Sequence, residues 1–160
     1  MLVTDANIWI DLENGGVLEV VFMLSYQWAT PDAVVDEELG PLGAGVCARG
    51  VTALVADEEL QAQWEELRLA HRLPSDADLY GLVHARHLGA RLVTGDRDLR
   101  HAAESEGVQV SGILWLLDEL VTSKLCTGPD AGRALRAMLD ANARLPEAEC
   151  EQRFRRWVRR

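Results

Sequence analysis

The chain has 160 residues, of which 48% are hydrophobic, and its formal net charge at pH 7 is −10. This length suits one domain with its own core, and no apolar run approaches the roughly 20 residues of a membrane span. Three scattered cysteines without zinc-ligand spacing, and the lack of a basic leader, predict a cytoplasmic protein with free thiols and no membrane segment.

Apolar runs alternate with helical periods along the chain, which predicts a βαβ architecture. The predicted strands cover residues 2–4, 28–30, 51–56, 91–94 and 108–110. The predicted helices cover residues 7–13, 17–26, 33–39, 57–71, 75–88, 96–106 and 113–122, and two more follow Asp130. Thr30 and Pro31 are interpreted as the start of the helix at 33–39, and Gly40-Pro41 as its end. This order predicts a three-layer α/β/α sandwich around a short five-stranded parallel sheet of order 3-2-1-4-5.

Acidic residues lie where this sheet would bring distant segments together. Asp5 follows the first strand and Asp96 the fourth, and the predicted order makes these strands neighbours at the point where the order reverses. Glu37 lies in the helix at 33–39, and Asp78 near the start of the helix at 75–88. Carboxylates gather in a crevice when a cation holds them, and Mg²⁺ prefers oxygen ligands. The pattern therefore predicts a metal-dependent enzyme that cleaves phosphodiester bonds, in which the metal neutralises the phosphate and lowers the pKa of the attacking water.

Each of these acids also has a purely structural explanation. Asp5 and Asp96 are suited to cap the helices that follow them, and Ser75 with Asp78 resembles a capping box. Glu37 fits the solvated side of a short helix. The chain contains no glycine loop that cradles phosphate and no G-x-S-x-G elbow, so the sequence offers no other catalytic motif.

Charge is distributed unevenly along the chain. Residues 1–130 hold 8 Lys and Arg against 22 Asp and Glu, a net of −14, whereas residues 131–160 hold 8 Arg against 4 acids, a net of +4. Phosphate contacts dominate nucleic-acid affinity, so either the C-terminal arginines or a partner chain would supply them. The alternative is that these arginines form a solvated tail. The arginines concerned are Arg153, Arg155, Arg156, Arg159 and Arg160.

Three segments carry a family resemblance. They are VTDANIWIDL at residues 3–12, PSDADLYGLVHARHLGARLVTGDRDLR at residues 74–100, and LRHAAESEGVQVSGILWLLDEL at residues 99–120. The second is the most specific, because it is similar to an S-x-x-D-L segment followed by a strand that ends in T-G-D. Together the segments resemble the PIN-domain proteins, the family of the VapC-type toxin ribonucleases.

The resemblance implies an endoribonuclease that cleaves single-stranded RNA with Mg²⁺ or Mn²⁺ in an acidic site. By position, the catalytic and metal-binding acids of the family fall on Asp5, Glu37, Asp78 and Asp96. Glu38 is adjacent to Glu37 and is the alternative to it at that position. Asp98 corresponds to a further metal-binding acid that some members carry.

The resemblance also implies supporting residues and partners. Thr94 would steady the site through its hydroxyl, and Asn7 would orient a metal-bound water. Residues 1–125 are interpreted as the catalytic domain and residues 126–160 as a helical extension packed on it. The implied partners are an RNA substrate, a small antitoxin protein and a second copy of the chain. The alternative function is a PIN-fold module that binds RNA or protein without catalysis.

Overall fold

The computed structural model describes residues 1–158, which contain one five-stranded parallel sheet and several helices. The strands are β1 (Leu2–Thr4), β2 (Trp28–Pro31), β3 (Thr52–Leu54), β4 (Arg91–Val93) and β5 (Val110–Ser111). The helices are α1 (Ala6–Asn14), α2 (Leu18–Val21), α3 (Pro41–Ala48), α4 (Glu58–Ala70), α5 (Asp76–Leu88), α6 (Arg97–Ser105), α7 (Ile113–Thr122), α8 (Gly128–Asp140) and α9 (Glu147–Trp157), with a π-helical turn at Val34–Glu38. The strand order is β3-β2-β1-β4-β5, which confirms the predicted α/β/α class and topology.

Strand β1 lies at the centre of the sheet, between β2 and β4. Leu2 pairs with both Trp28 and Arg91, and at the other end of β1 Thr4 pairs with Val93. The carboxyl ends of β1 and β4 are therefore level with each other. The backbone N–H of Asp5 donates to the carbonyl of Val93 at 3.3 Å, which fixes the first residue beyond β1 to the end of β4.

The chain forms two compact units. Residues 1–8 and 26–111 form the first, here called the sheet unit, and residues 9–25 and 112–158 form the second, here called the helical unit. The predicted division at residues 125 and 126 coincides with neither unit, and it stays a prediction. No helix within residues 1–158 combines the length and the apolar character that crossing a bilayer requires.

Helix α5 organises the core of the sheet unit. It contacts β1, β2 and β4 as well as the neighbouring α4 and α6. Leu79, Leu82 and Val83 on its inner face are fully buried, as the helical period of the sequence predicted. Ser75 caps the helix, and Gly89 ends it with φ = 59°, a conformation that glycine adopts without strain. The first turn of α5, which carries Asp78, is therefore positioned both by the Ser75 cap and by the packing of the helix in the core.

The helical unit is built on α7, which contacts α2 and α8, while α9 packs against α8. Leu116, Leu117 and Leu120 of α7 have no exposed surface. A side chain at Gly128, the first residue of α8, would overlap the backbone carbonyl of Trp157 in α9. Only glycine permits this close approach of the two helices.

The predicted helix at residues 17–26 is too long, and helix α3 was not predicted. The helix expected at residues 17–26 is limited to α2. The chain has left the helix before Gln27, whose carbonyl accepts the N–H of Leu2 in β1 at 2.8 Å. Gly40-Pro41 follows the end of the π-helical turn, as predicted, but it also begins α3: Gly40 has φ = 52°, and Pro41 occupies the first helical position, where a missing N–H costs no hydrogen bond.

The interpretation of Thr30 and Pro31 as a helix start is also wrong. Both residues belong to β2. The Thr30 hydroxyl is completely buried and donates to the carbonyl of Thr4 in β1 at 2.5 Å. Asp32 Oδ1 accepts the N–H of the adjacent Ala33 at 2.8 Å, and Ala33, the N-cap residue of the π-helical turn, makes no side-chain capping bond.

Candidate active site

Asp5 lies just beyond β1 and is held from two directions. Its Oδ1 accepts the N–H of Ile8 at 3.0 Å, so it caps α1 as a structural role would require. Its Oδ2 accepts the hydroxyl of Thr94, which follows β4. Only 8% of the residue is exposed. Capping explains the first bond but not the second, which joins segments 89 residues apart in the chain.

The Thr94 hydroxyl connects the two strand ends. It donates to the Asp5 carboxylate and accepts the backbone N–H of Asp96 at 3.0 Å. The side chain is completely buried, and the N–H of Thr94 donates to Ser111 in β5 at 2.9 Å. Because a hydroxyl has one proton and two lone pairs, it can donate to the Asp5 carboxylate and accept the Asp96 N–H at the same time. Thr94 therefore has the geometry that the steadying role implied by the resemblance requires.

Asp96 follows Thr94 and Gly95 and caps α6. Its Oδ1 accepts the N–H of Leu99 at 2.7 Å. The carboxylate thus lies at the positive end of the α6 dipole, and its backbone is fixed to the hydroxyl that holds Asp5. Asp98 is exposed in the first turn of α6.

Asp78 lies in the first turn of α5 and forms a complete capping box with Ser75. The Ser75 hydroxyl accepts the N–H of Asp78 at 3.1 Å, and Asp78 Oδ2 accepts the N–H of Ser75 at 2.9 Å. The predicted box is confirmed. The same side chain lines a narrow cleft beside the end of β1, so the capping role and a role in a site are compatible here.

The acids that line this cleft are Asp5, Glu38 and Asp78. Burial raises the pKa of the Glu38 carboxyl above its ordinary value, and the negative charges of Asp78 and Glu37 raise it further. Glu37 and Glu38 are both exposed, but only Glu38 is among the residues that line the cleft. The structure therefore brings Glu38, rather than Glu37, to the side of Asp5 and Asp78.

The π-helical turn explains why Glu38 lines the cleft, although the family resemblance placed the acid at Glu37. The N–H of Leu39 donates to the carbonyl of Val34 at 3.1 Å, five residues earlier in the chain. This bond widens the turn, so side chains in it do not follow the 3.6-residue period by which a helical face is counted from sequence. Wide turns of this kind are frequent at functional sites.

The donor atoms of the site suit a hard divalent cation. They are carboxylate and hydroxyl oxygens, with no sulfur or imidazole among the residues that line the cleft. Within residues 1–158, no three His, Cys, Asp or Glu side chains are grouped closely enough to form a metal cluster. Mg²⁺ commonly takes one or two carboxylates and keeps several waters, so this arrangement fits a cation with few direct protein ligands.

Another predicted site residue lies differently from the central acids. Asn7 is exposed in the first turn of α1. Arg100 was missed by sequence reasoning, although it lies in the most specific motif. Its guanidinium donates to the carbonyl of Thr94 at 3.4 Å and so reaches the backbone of the site.

The predicted RNA-binding arginines of α9 are engaged in ion pairs within the helical unit. Arg153 pairs with Asp118 at 3.2 Å, and Arg156 pairs with the same carboxylate. Arg155 is exposed and pairs with Glu151 one turn earlier, at 3.0 Å. A partly buried carboxylate shared by two arginines gives them a structural role in joining α9 to α7. The remaining arginines of the tail, 159 and 160, lie outside the described residues.

A comparison with protein families gives one match: the family model described as DUF3368, a PIN domain, covers residues 1–159. The match includes the residues after 125, which the sequence had suggested were an extension. No curated protein gave a significant match to the chain.

Proposed function

Since the chain belongs to the PIN-domain family, a family with a nuclease-type fold, we propose that it is a metal-dependent endoribonuclease that cleaves single-stranded RNA. The observation that carries this proposal is the Thr94 hydroxyl, which joins Asp5 to the backbone of Asp96 at the ends of two neighbouring strands. A capping role for each acid does not require that link. Asp78 and Glu38 complete the proposed site, because they share a cleft with Asp5.

The chain's own residues would orient the substrate and manage the proton. One or two of Asp5, Asp78 and Asp96 would hold Mg²⁺ or Mn²⁺ directly, and the others would act through its bound waters; the ion when bound would supply neutralisation of the phosphate and activation of a water. Hydrogen bonds from Ile8 and Thr94 hold the Asp5 carboxylate in one orientation, so little reorganisation is needed during the reaction. Glu38 has a raised pKa and is suited to accept the proton of the attacking water.

We further propose that this nuclease is the toxin of a toxin–antitoxin pair. A small antitoxin would place an Arg or Lys against Asp5, Asp78 and Glu38, where the acidic charge of the sheet unit favours a cation. Formation of a homodimer remains part of the same proposal.

A second candidate function is a PIN-fold module that binds RNA or protein without catalysis. One observation favours it: within residues 1–158, no three potential ligand side chains form a ready metal cluster. The presence of acids at both strand ends and in the cleft favours the nuclease instead, because a binding module does not need carboxylates in those positions.

The decisive experiment compares cleavage of single-stranded RNA by the wild type, Asp5→Asn and Asp96→Asn in the presence of Mn²⁺. Each substitution removes a charge from the site while preserving side-chain volume, and we expect a loss of at least about 100-fold in rate. Asp36→Asn, which neutralises an exposed acid in the π-helical turn, is the matched control and should cleave normally. Equal cleavage by all four proteins would exclude the acidic site, and no cleavage by the wild type would favour the binding module.

A further inference from the structure

A groove of about 450 Å³ lies in the sheet unit between the loop after α4 and one side of α6. It is lined by residues 70–74 on one wall and by residues of the segment 97–104 on the other, and is here called the α6 groove. Three of the seven arginines in the sheet unit, Arg72, Arg97 and Arg100, line it. The acids that line it are Asp98 and Glu104. Cations therefore outnumber acids here, in a region of the chain where acids dominate.

The arginines of the α6 groove are available to a ligand. Arg72 and Arg97 are exposed, and no acid within residues 1–158 forms an ion pair with either of them. Arg100 is only loosely held, at 4.0 Å from Glu104 and 3.4 Å from the carbonyl of Thr94. In contrast, the α9 arginines that the sequence favoured for RNA binding are already paired with acids.

The loop that carries Arg72 is held in place by Arg68. The Arg68 guanidinium donates to the carbonyl of His71 at 2.6 Å and to that of Pro74 at 2.8 Å. It also forms an ion pair with Asp76 at 2.8 Å, at the start of α5. One side chain thus fixes both ends of the loop, and a groove with a fixed wall loses less entropy when it binds a ligand.

Both walls of the α6 groove lead to the proposed active site. The loop ends at Ser75, whose capping box holds Asp78. The other wall begins immediately after Asp96, and Arg100 reaches the backbone carbonyl of Thr94. The groove and the acids are therefore connected through the first turns of the same two helices, α5 and α6.

We propose that the α6 groove binds the phosphates of a single-stranded RNA on its way to the acids, an inference that rests on the proposed nuclease function. Guanidinium groups bind phosphate oxygens in pairs of parallel hydrogen bonds, and phosphate contacts dominate the affinity of proteins for nucleic acids. Leu73, which is 78% exposed and lines the same groove, offers an apolar contact for the face of a base. Arg72 and Arg97 supply the phosphate contacts, and the acids beyond them receive the scissile bond.

The test measures binding of a short, fluorescein-labelled single-stranded RNA in EDTA, where the proposed metal-dependent cleavage does not proceed, across a range of salt concentrations. Single-stranded nucleic acid contributes about 0.7 to the log–log salt slope for each phosphate contact. The double variant Arg72→Gln with Arg97→Gln should therefore reduce the slope by about 1.4 and weaken binding. Replacement of both residues by Lys should retain the slope, as should the matched control Arg155→Gln in α9. Urea unfolding of each variant checks that the fold is intact, which the exposure of both arginines predicts.

An unchanged slope in the double Gln variant, with the wild type binding RNA, would overturn the groove proposal. It would leave the nuclease proposal intact, because that proposal is judged separately by Mn²⁺-dependent cleavage and its loss in Asp96→Asn. The groove proposal also falls if the wild type fails to bind the RNA. Binding of a labelled poly-aspartate peptide that needs Arg72 and Arg97, while RNA binding does not, would assign the groove to an acidic protein partner instead.

Discussion

Replacement of Thr94 by Val tests the link between the two strand ends most directly. Val has nearly the same shape as Thr, so the substitution removes the hydroxyl and leaves the packing in place. A hydrogen bond to a charged carboxylate contributes about 1.5–3 kcal/mol, and a buried N–H left without a partner costs about 1–3 kcal/mol. The N–H of Asp96 is only partly buried, so water can replace that bond in part. We therefore expect Thr94→Val to lower the free energy of unfolding by about 2–4 kcal/mol.

Urea unfolding of Thr94→Val, Thr94→Ser and the wild type provides the measurement. Thr94→Ser keeps the hydroxyl and loses one buried methyl group, which costs about 1 kcal/mol. A shift of the midpoint at constant slope would report a change in stability alone. The reasoning is refuted if Thr94→Val is as stable as Thr94→Ser.

A double-mutant cycle separates the Thr94–Asp5 bond from other effects. Asp5→Asn and Thr94→Val, made singly and together, should show a coupling energy of about 1–3 kcal/mol if the hydroxyl acts through the carboxylate. Under the proposed function, Thr94→Val should also reduce cleavage by about 10- to 100-fold, because residues that orient metal ligands have effects of that size. Additive free energies in the cycle would show that the two groups act independently.

Three further predictions concern other parts of the molecule. Glu38→Gln should reduce RNA cleavage by at least about 10-fold, because Glu38 lines the cleft. Glu37→Gln should leave cleavage nearly unchanged. A cleavage assay in which Glu37→Gln is the more damaging substitution would contradict the assignment of Glu38. Addition of Mn²⁺ at about 100 times its Kd should stabilise the wild type by about 2.7 kcal/mol and raise its Tm. It should not raise the Tm of the double variant that carries both Asp5→Asn and Asp96→Asn. An identical Tm shift in the two proteins would argue against the metal site. Burial raises the pKa of Asp11 from 3.8 to about 6, so the stability that its protonated form contributes is complete below pH 3.8 and is lost as the pH rises through about 6. Asp11→Asn should therefore stabilise the protein at pH 8 by about 1–2 kcal/mol after allowance for solvent screening, and by much less at pH 4 in urea unfolding; a difference independent of pH would exclude this cause.

Much of the fold follows from patterns that act over a few residues. Buried strands such as residues 2–4 and 91–94 are short apolar runs, and the 3.6-residue period of α5 identifies Leu79 and Leu82 as core residues. Capping is equally local, because Ser75 and Asp78 are three residues apart and meet within a single helical turn. The strand order followed from the general rules for parallel sheets together with the family resemblance.

The missed helix α3 shows where local patterns are ambiguous. Gly-Pro is suited both to end one helix and to begin the next, and the short stretch between residues 41 and 48 has little amphipathic pattern. Its position is decided by packing. Val46 is fully buried, and Gly43 lies so close to the carbonyl of Val35 that a side chain there would clash with it. Such contacts depend on the path of the folded chain.

The amino-acid sequence was sufficient to predict the candidate acids, their helix-capping roles and the strand order of the sheet. Each of these depends on neighbouring residues or on general rules of chain topology. The proposal of Glu38 in place of Glu37 depends on the fold, because Glu38 lines the cleft from a π-helical turn that the helical period of the sequence does not reveal. The proposal that Arg72 and Arg97, rather than the α9 arginines, bind RNA also depends on the folded chain. An ion pair with a partly buried carboxylate makes an arginine less available to a ligand, and Asp118 meets Arg153 and Arg156 only through the packing of helices distant in sequence.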